Sequence, residues 1–199
     1  AAVIPSKTYN TPHEATRALC AYERFPGDIW EAFAGNGEMA FVLREAGYTV
    51  TATTILDGRH EKAFPKHRVT GGQNFFDIND APKPNLVSNP PFEVVNEIVN
   101  HARAIGVVKM ALLLNIKFVG GQGRWGFGGR GEALKWLPCR IYPFADRVTM
   151  YPSDWDGSTK NSTTETYAWF IWDLSCDGQP AVIPAVLYSG NYRIAEEAE

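Results

Sequence analysis

Asp28-Ile29-Trp30-Glu31-Ala32-Phe33-Ala34-Gly35-Asn36-Gly37-Glu38-Met39-Ala40-Phe41-Val42-Leu43-Arg44-Glu45-Ala46-Gly47 changes its periodicity halfway. Asp28 to Phe33 is a short apolar run that suits a buried strand. Ala34-Gly35-Asn36-Gly37 turns the chain. Glu38 to Ala46 then spaces Met39, Val42, Leu43 and Ala46 as one helical face, and Gly47 closes it. Glycines at such a turn let a ligand approach the backbone, and the helix start offers free N–H groups. An ordinary strand-to-helix turn needs two glycines as well, and the third glycine of the dinucleotide pattern is absent, because Ala40 occupies its place.

Reading outward, Thr11-Pro12-His13-Glu14 predicts a helix start with a capping box, Thr11 as N-cap and Pro12 as first helical residue. That helix runs to about Tyr22 with Ala15, Ala18 and Leu19 inward. Tyr48 to Ile55 reads as a second strand and Arg68 to Thr70 as a short one. Asn85 to Ser88 is a strand that stops at Pro90-Pro91. Phe92 to Arg103 is helical, with Val95, Ile98, Val99 and Ala102 on one side. Val107 to Leu114 is a buried strand. This alternation predicts a parallel sheet with helices on both faces. Glu132 to Leu137 reads as a short helix. Arg140 to Met150 and Glu165 to Asp173 read as two late strands pairing antiparallel at one sheet edge, with a polar surface loop from Ser153 to Thr164 between them.

Composition narrows the function classes. The chain has 199 residues, 45% hydrophobic and 13% aromatic, which is a globular composition and excludes wholesale disorder. The length suits one domain spanning 1–199, with no separate target-recognition domain. The longest apolar run, Ala104 to Leu114, is interrupted by Lys109, and crossing a bilayer takes about 20 residues. No signal peptide is visible. Cys20, Cys139 and Cys176 cannot all pair, and none lies in a C-x-x-C motif. That points to a reducing, cytoplasmic setting and away from a metal. His13, His60, His67 and His101 have no ligand spacing, and His101 reads as solvated. Trp169 and Trp172 fall on opposite strand faces and read as core. A net charge of −3 means that any nucleic-acid contact must use a local patch.

Two segments carry the chemistry. Ser88-Asn89-Pro90-Pro91-Phe92 follows directly on a predicted strand, and an [Asn/Asp/Ser]-Pro-Pro-[Tyr/Phe] string arises by chance in roughly 1% or fewer of chains this long. Two prolines stiffen the backbone and remove two donors. Carbonyls and the Asn89 side chain can then converge on one small polar group beside an aromatic ring. The bland alternative is a rigid strand-ending turn. The other segment, 115–131, holds seven glycines among seventeen residues. From Asn115 to Arg140 the basic residues Lys117, Arg124, Arg130, Lys135 and Arg140 face one acid, Glu132. Interleaved with Trp125 and Phe127, they suit phosphates and unstacked bases, or else form a mobile surface loop with incidental charge.

With these pieces in view, the sequence resembles the class I S-adenosylmethionine-dependent amino-methyltransferases, especially small phage-type DNA adenine-N6 methyltransferases. The matching pieces are Tyr9-Asn10-Thr11-Pro12, Glu31 to Gly37, Asn89 to Phe92, and Tyr167-Ala168-Trp169-Phe170-Ile171-Trp172. They anchor residues 9–173 as the core, with 174–199 as a C-terminal extension. The resemblance implies a Rossmann-like α/β fold with a mostly parallel seven-stranded sheet and an antiparallel edge hairpin. It implies S-adenosyl-L-methionine as cofactor, no metal, and a bacterial or phage-infected host cytoplasm. Thr11, Pro12, Glu31, Phe33, Gly35, Gly37, Thr54, Asn74, Phe75 and Asn89 would surround the cofactor, with Gly35 and Gly37 facing its methionine part. Asn89 and the Pro90 carbonyl would accept from the target amine, with Pro91 holding the turn and Phe92 stacking on the base.

An aryl amine is a poor nucleophile because its lone pair is delocalised, and two acceptors on its N–H groups push it towards a tetrahedral form. Positioning then supplies most of the rate. A duplex hides that amine, so DNA would present a flipped or single-stranded base. Lys117, Arg124, Trp125 and Arg130 would hold it, with loose specificity or a second chain to supply it. The same motif serves adenine in RNA and glutamine in protein, and an inactive methyltransferase-fold binding subunit is the rival from another class. The acid that usually ends strand two is replaced by Thr53-Thr54, with Asp57 three residues on. The usual Asp before the adenine-contact Phe is replaced within Gly72-Gln73-Asn74-Phe75-Phe76-Asp77.

Overall fold

A computed structural model describes residues 9–56, 67–126, 133–152, 165–176, 179 and 181–188. Its strands are β1 (Tyr9–Asn10), β2 (Ile29–Glu31), β3 (Val50–Thr53), β4 (Val69–Thr70), β5 (Asn85–Ser88), β6 (Lys109–Asn115), β7 (Arg140–Pro143), β8 (Tyr151–Pro152) and β9 (Tyr167–Asp173). The α-helices are α1 (His13–Tyr22), α2 (Glu38–Glu45) and α3 (Val95–Ala104). Seven strands form one sheet in the order β4-β3-β2-β5-β6-β9-β7, and β1 pairs with β8 in a separate two-stranded sheet. β2, β3, β4, β5 and β6 pair parallel. β9 runs antiparallel between β6 and β7, so β7 forms the edge of the antiparallel pair expected from the late strands.

Alternation along the strands sorts the core into two layers. Trp30, Leu86, Met110, Leu112, Phe170 and Trp172 face one way, against Val95, Ile98, Val99 and Ala102 of α3. Ile29, Val87, Ala111, Leu113, Trp169 and Ile171 face the other, against Ala15, Ala18 and Leu19 of α1 and Met39 and Leu43 of α2. The two indoles are buried on opposite faces, and each donates to a carbonyl oxygen, Trp169 to Ala15 and Trp172 to Trp136, both at 2.9 Å. A buried indole usually finds such a partner for its N–H, though that of Trp136, also fully buried, has none.

Several local expectations give way to tertiary contacts. The capping box does not form: Pro12 is the N-cap of α1 and makes no side-chain cap bond, because the Thr11 hydroxyl accepts from Asn89 Nδ2 instead, at 3.2 Å. Residues 133–137 form no helix; Leu134 and Trp136 are buried there as irregular chain. Regular strand from Arg140 ends at Pro143. His101 is not solvated, since its Nε2 lies 3.0 Å from the Ile78 carbonyl and its ring 5.1 Å from Phe75. Cys139 and Cys176 are joined, contrary to the expectation of reduced thiols, and Cys20 stays free. Antiparallel pairing of β7 with β9 brings the two Cα atoms to 6.3 Å across 37 residues of sequence, within disulfide reach. The polar loop 153–164 lies outside the described residues.

Lys109, which interrupts the longest apolar run, starts β6 at the sheet end remote from the strand C-termini. Its Nζ lies 2.7 Å from Glu23, 2.6 Å from the Arg24 carbonyl and 3.6 Å from Asp173. Arg140 bridges Glu23 and Asp173 from the edge strand, and the Tyr142 hydroxyl donates to Glu23 at 2.8 Å. Glu23 and Lys109 are buried and Arg140 and Asp173 half-buried, and their mutual pairing makes the burial tolerable. Burial alone would raise the Asp173 carboxyl; Ser175, Arg140 and Lys109 outweigh it and hold the group at about 2. A carboxyl depressed on folding stabilises above its unfolded value and loses that contribution as pH falls through its folded one. Denaturant unfolding between pH 4 and 2 should therefore show falling stability, and Asp173→Asn should flatten that slope while lowering stability at neutral pH.

Candidate active site

The chain leaves the centre of the sheet at β2, steps outward through β3 and β4, then returns to β5 beside β2. Loops leaving β2 and β5 therefore diverge, and a crevice opens at their C-terminal ends, where open α/β sheets bind ligands. Both sequence motifs fall on this switch point. Glu31 ends β2 and Ser88 ends β5, and the Phe33 N–H donates to Ser88 Oγ at 3.2 Å.

The turn after β2 is tight. The Gly37 N–H donates to the Ala34 carbonyl at 2.7 Å, with φ of +51° at Gly35 and +85° at Gly37. These glycines do different jobs. A Cβ on Gly35 would meet nothing within 4 Å, whereas one on Gly37 would sit 2.6 Å from Val69 Cγ2 and 2.7 Å from His67 Cβ. The missing side chain at Gly37 thus makes room for the close approach of Val69 and His67. Asn36 donates to Asn10 Oδ1 at 3.2 Å, and its carbonyl lies 2.8 Å from His67 Nδ1. In this way the turn holds β1 over the crevice.

A small recess, partly open to solvent, lies there, lined by Tyr9, Asn10, Thr11, Glu31, Phe33, Ala34, Glu38, Met39 and Asn89. Four expected cofactor residues, Thr11, Glu31, Phe33 and Asn89, meet in it. Glu31 is 2% exposed, and its Oε2 has no hydrogen-bond partner. Burial pushes its carboxyl well above the usual range, against the Ala40 N–H and Arg44, and with the help of Glu38. Sequence reasoning passed over Tyr9, Asn10, Glu38 and Met39 as site residues. Glu38 was legible as the first residue of the helix leaving the turn; that it reaches the recess depends on how α2 packs.

At the other wall, Asn89 Nδ2 points at Thr11 Oγ1 (3.2 Å) and Met150 Sδ (3.9 Å). This orientation leaves Oδ1 as the acceptor for an incoming donor. Pro90 is buried and Pro91 half-buried, with neither able to donate. Phe92 is 43% exposed, its ring 6.2 Å from that of Tyr167.

Other expected residues lie elsewhere. Phe75 is buried, its ring 5.3 Å from Trp30 and 5.0 Å from Phe33, so it packs the core rather than presenting a face to a ligand. Asn74 Oδ1 accepts from the Phe76 N–H, capping the short turn at Phe75–Asp77. Thr54 is buried at the end of β3 and its hydroxyl accepts from the Leu56 N–H. Thr53 Oγ1 accepts from Trp30 Nε1 at 2.9 Å. In the glycine-rich segment, Arg124 is not a free phosphate contact. Its guanidinium donates to Asn96 Oδ1 and to the Phe118 and Gly120 carbonyls, and lies 4.1 Å from the Phe118 ring. Lys117 Nζ pairs with Glu165 at 3.0 Å. Trp125 is half-buried and donates to the Val119 carbonyl. Arg130 and Phe127 lie outside the described residues, as does Asp57. Among the described residues, no group of three His, Cys, Asp or Glu could hold a metal, and no helix is long and apolar enough to cross a membrane.

No protein-family description and no curated protein matches the sequence. Solved structures do match the fold. A candidate RNA methyltransferase from Pyrococcus horikoshii aligns with a TM-score of 0.56 at 13% identity, over 86% of this chain and 90% of its own. A protein of Agrobacterium tumefaciens predicted to be an O-methyltransferase aligns at 0.53 and 13% identity, over 88% and 86%. Magnesium protoporphyrin IX methyltransferase from Synechocystis, solved with bound S-adenosylmethionine, aligns at 0.51 and 10% identity, over 81% and 79%. The chain has the class I methyltransferase fold.

The two glycines should separate by stability. Gly37→Ala should cost about 2–4 kcal/mol, because strain at positive φ adds to overpacking against Val69 and His67. Gly35→Ala should cost only the backbone strain, about 1–2 kcal/mol. Urea unfolding of both variants beside the wild type measures the difference.

Proposed function

We propose that this chain is an S-adenosylmethionine-dependent methyltransferase acting on a flat exocyclic amine, with adenine N6 in DNA as the favoured target. The observation that supports it best is the pairing, across one switch point, of the Glu31–Gly37 recess with the Asn89–Phe92 acceptor turn. The recess suits the cofactor chemically: Glu31 holds an unpartnered buried carboxylate oxygen, which fits the ammonium of a methionine moiety. Gly35 leaves open space above the backbone. Thr11, Glu31, Phe33 and Asn89 would hold the group there, and when bound it supplies an electrophilic methyl on a sulfonium.

The chain's own residues then orient the amine. Asn89 Oδ1 and the Pro90 carbonyl accept from its two N–H groups, localising the lone pair on nitrogen. Thr11 and Met150 fix the Asn89 amide so that its oxygen, not its nitrogen, faces the target. Phe92 stacks on the base and compensates for its removal from a helix. A second reading, a glutamine amide of a protein, has one observation in its favour: the Arg124 guanidinium is occupied inside its own loop, which weakens the nucleic-acid patch. RNA stands with DNA on the acceptor geometry.

Incubation with labelled S-adenosylmethionine plus DNA, RNA or protein, followed by mass analysis, should place the methyl on adenine N6 of DNA. Asn89→Ala should lower turnover by about 100-fold or more, as expected for loss of a transition-state hydrogen bond, while S-adenosylhomocysteine still binds. Full activity in that variant would sink the amine-activation mechanism.

A further inference from the structure

Glu31 is not the only acid in the recess. Glu38, first residue of α2, also lines it. His13, first residue of α1, lies with Nε2 2.6 Å from Glu38 Oε2. A carboxylate only accepts, so Nε2 carries the hydrogen. His67 approaches from the other side, with Nδ1 4.0 Å from Glu38 Oε1, but that nitrogen already bonds the Asn36 carbonyl. The cation acting on Glu31 is Arg44, and its guanidinium is committed to the His67 and Val50 carbonyls. Two acids thus face one recess, and the buried Oε2 of Glu31 has no partner. Among the described lining residues there is no Lys or Arg to neutralise them.

We propose that Glu38, oriented by His13, is a second acidic contact for the cationic end of the ligand, so that its ammonium is held between Glu31 and Glu38. The inference rests on the S-adenosylmethionine reading and deepens it. Glu38 compensates for the acid that strand β3 lacks: Thr53 there is bonded to Trp30 and Thr54 to Leu56. His13 acts as a positioning residue, since one Glu38 oxygen is tied to it and the carboxylate is held in place.

The test is calorimetric titration of the full chain with S-adenosylhomocysteine and with its analogue lacking the α-amino group. Glu38→Gln should weaken S-adenosylhomocysteine by about 10-fold or more, the scale of one charge-assisted hydrogen bond, yet change the deaminated analogue by less than about twofold. His13→Phe should weaken S-adenosylhomocysteine by a smaller factor, and His13→Gln, which keeps a donor, should restore it. Circular dichroism melts check that each variant is folded. If Glu38→Gln binds S-adenosylhomocysteine like wild type, or loses both ligands equally, the second-contact proposal is overturned and the cofactor reading survives. If the wild type fails to bind S-adenosylhomocysteine at millimolar concentration, the cofactor reading itself falls.

Discussion

The site depends on one topological constraint, the reversal of strand order between β2 and β5. Because the chain moves outward from β2 and later returns to β5, the loops at the C-terminal ends of these two strands must separate. The Phe33 N–H bond to Ser88 Oγ keeps that separation narrow. Glu31 and Asn89 therefore face one recess although 58 positions divide them in the sequence. Remove the reversal and the glycine turn and the proline turn would be two unrelated loops.

Electrostatics divide the molecule into two ends. At the strand C-termini, acids Glu31 and Glu38 face a recess whose lining holds no Lys or Arg; burial raises the Glu31 carboxyl, and His13 bonds Glu38. At the opposite end, Glu23, Asp173, Lys109, Arg140 and Tyr142 satisfy one another. The paired end holds β6, β7 and β9 together, while the recess lies at the C-terminal ends of the parallel strands, where open α/β sheets usually bind ligands.

The glycine-rich segment shows how charge in a sequence misleads. Arg124 counts as a free positive charge until the carbonyls of Phe118 and Gly120 are seen to need a donor. Gly121, at φ +103°, lets the chain turn back on this side chain, whose guanidinium donates to the Phe118 and Gly120 carbonyls. Thr11 tells a parallel story: its spacing to Glu14 signals a helix cap, yet the hydroxyl orients Asn89. Phe75 looks like an adenine platform by its place after Asn74, yet its ring stacks on Trp30 and packs against Phe33 in the core.

The sequence by itself determined the elements whose signal is local. Apolar runs and helical spacing placed β2, β5, β6, β9 and the three α-helices to within about three residues at each end, because the same apolar atoms that make the pattern make the core. The two prolines after Asn89 stood out for a covalent reason that no environment changes. Only the tertiary structure decided what depends on approach across the sheet. It paired Cys139 with Cys176, turned Gly37 towards Val69 and His67, packed the half-buried His101 against Phe75, and brought Glu38 with His13 to the recess. Those outcomes are set by which backbones lie within a few ångströms of each other. That is a property of strand order and helix packing, and no window of neighbouring residues contains it.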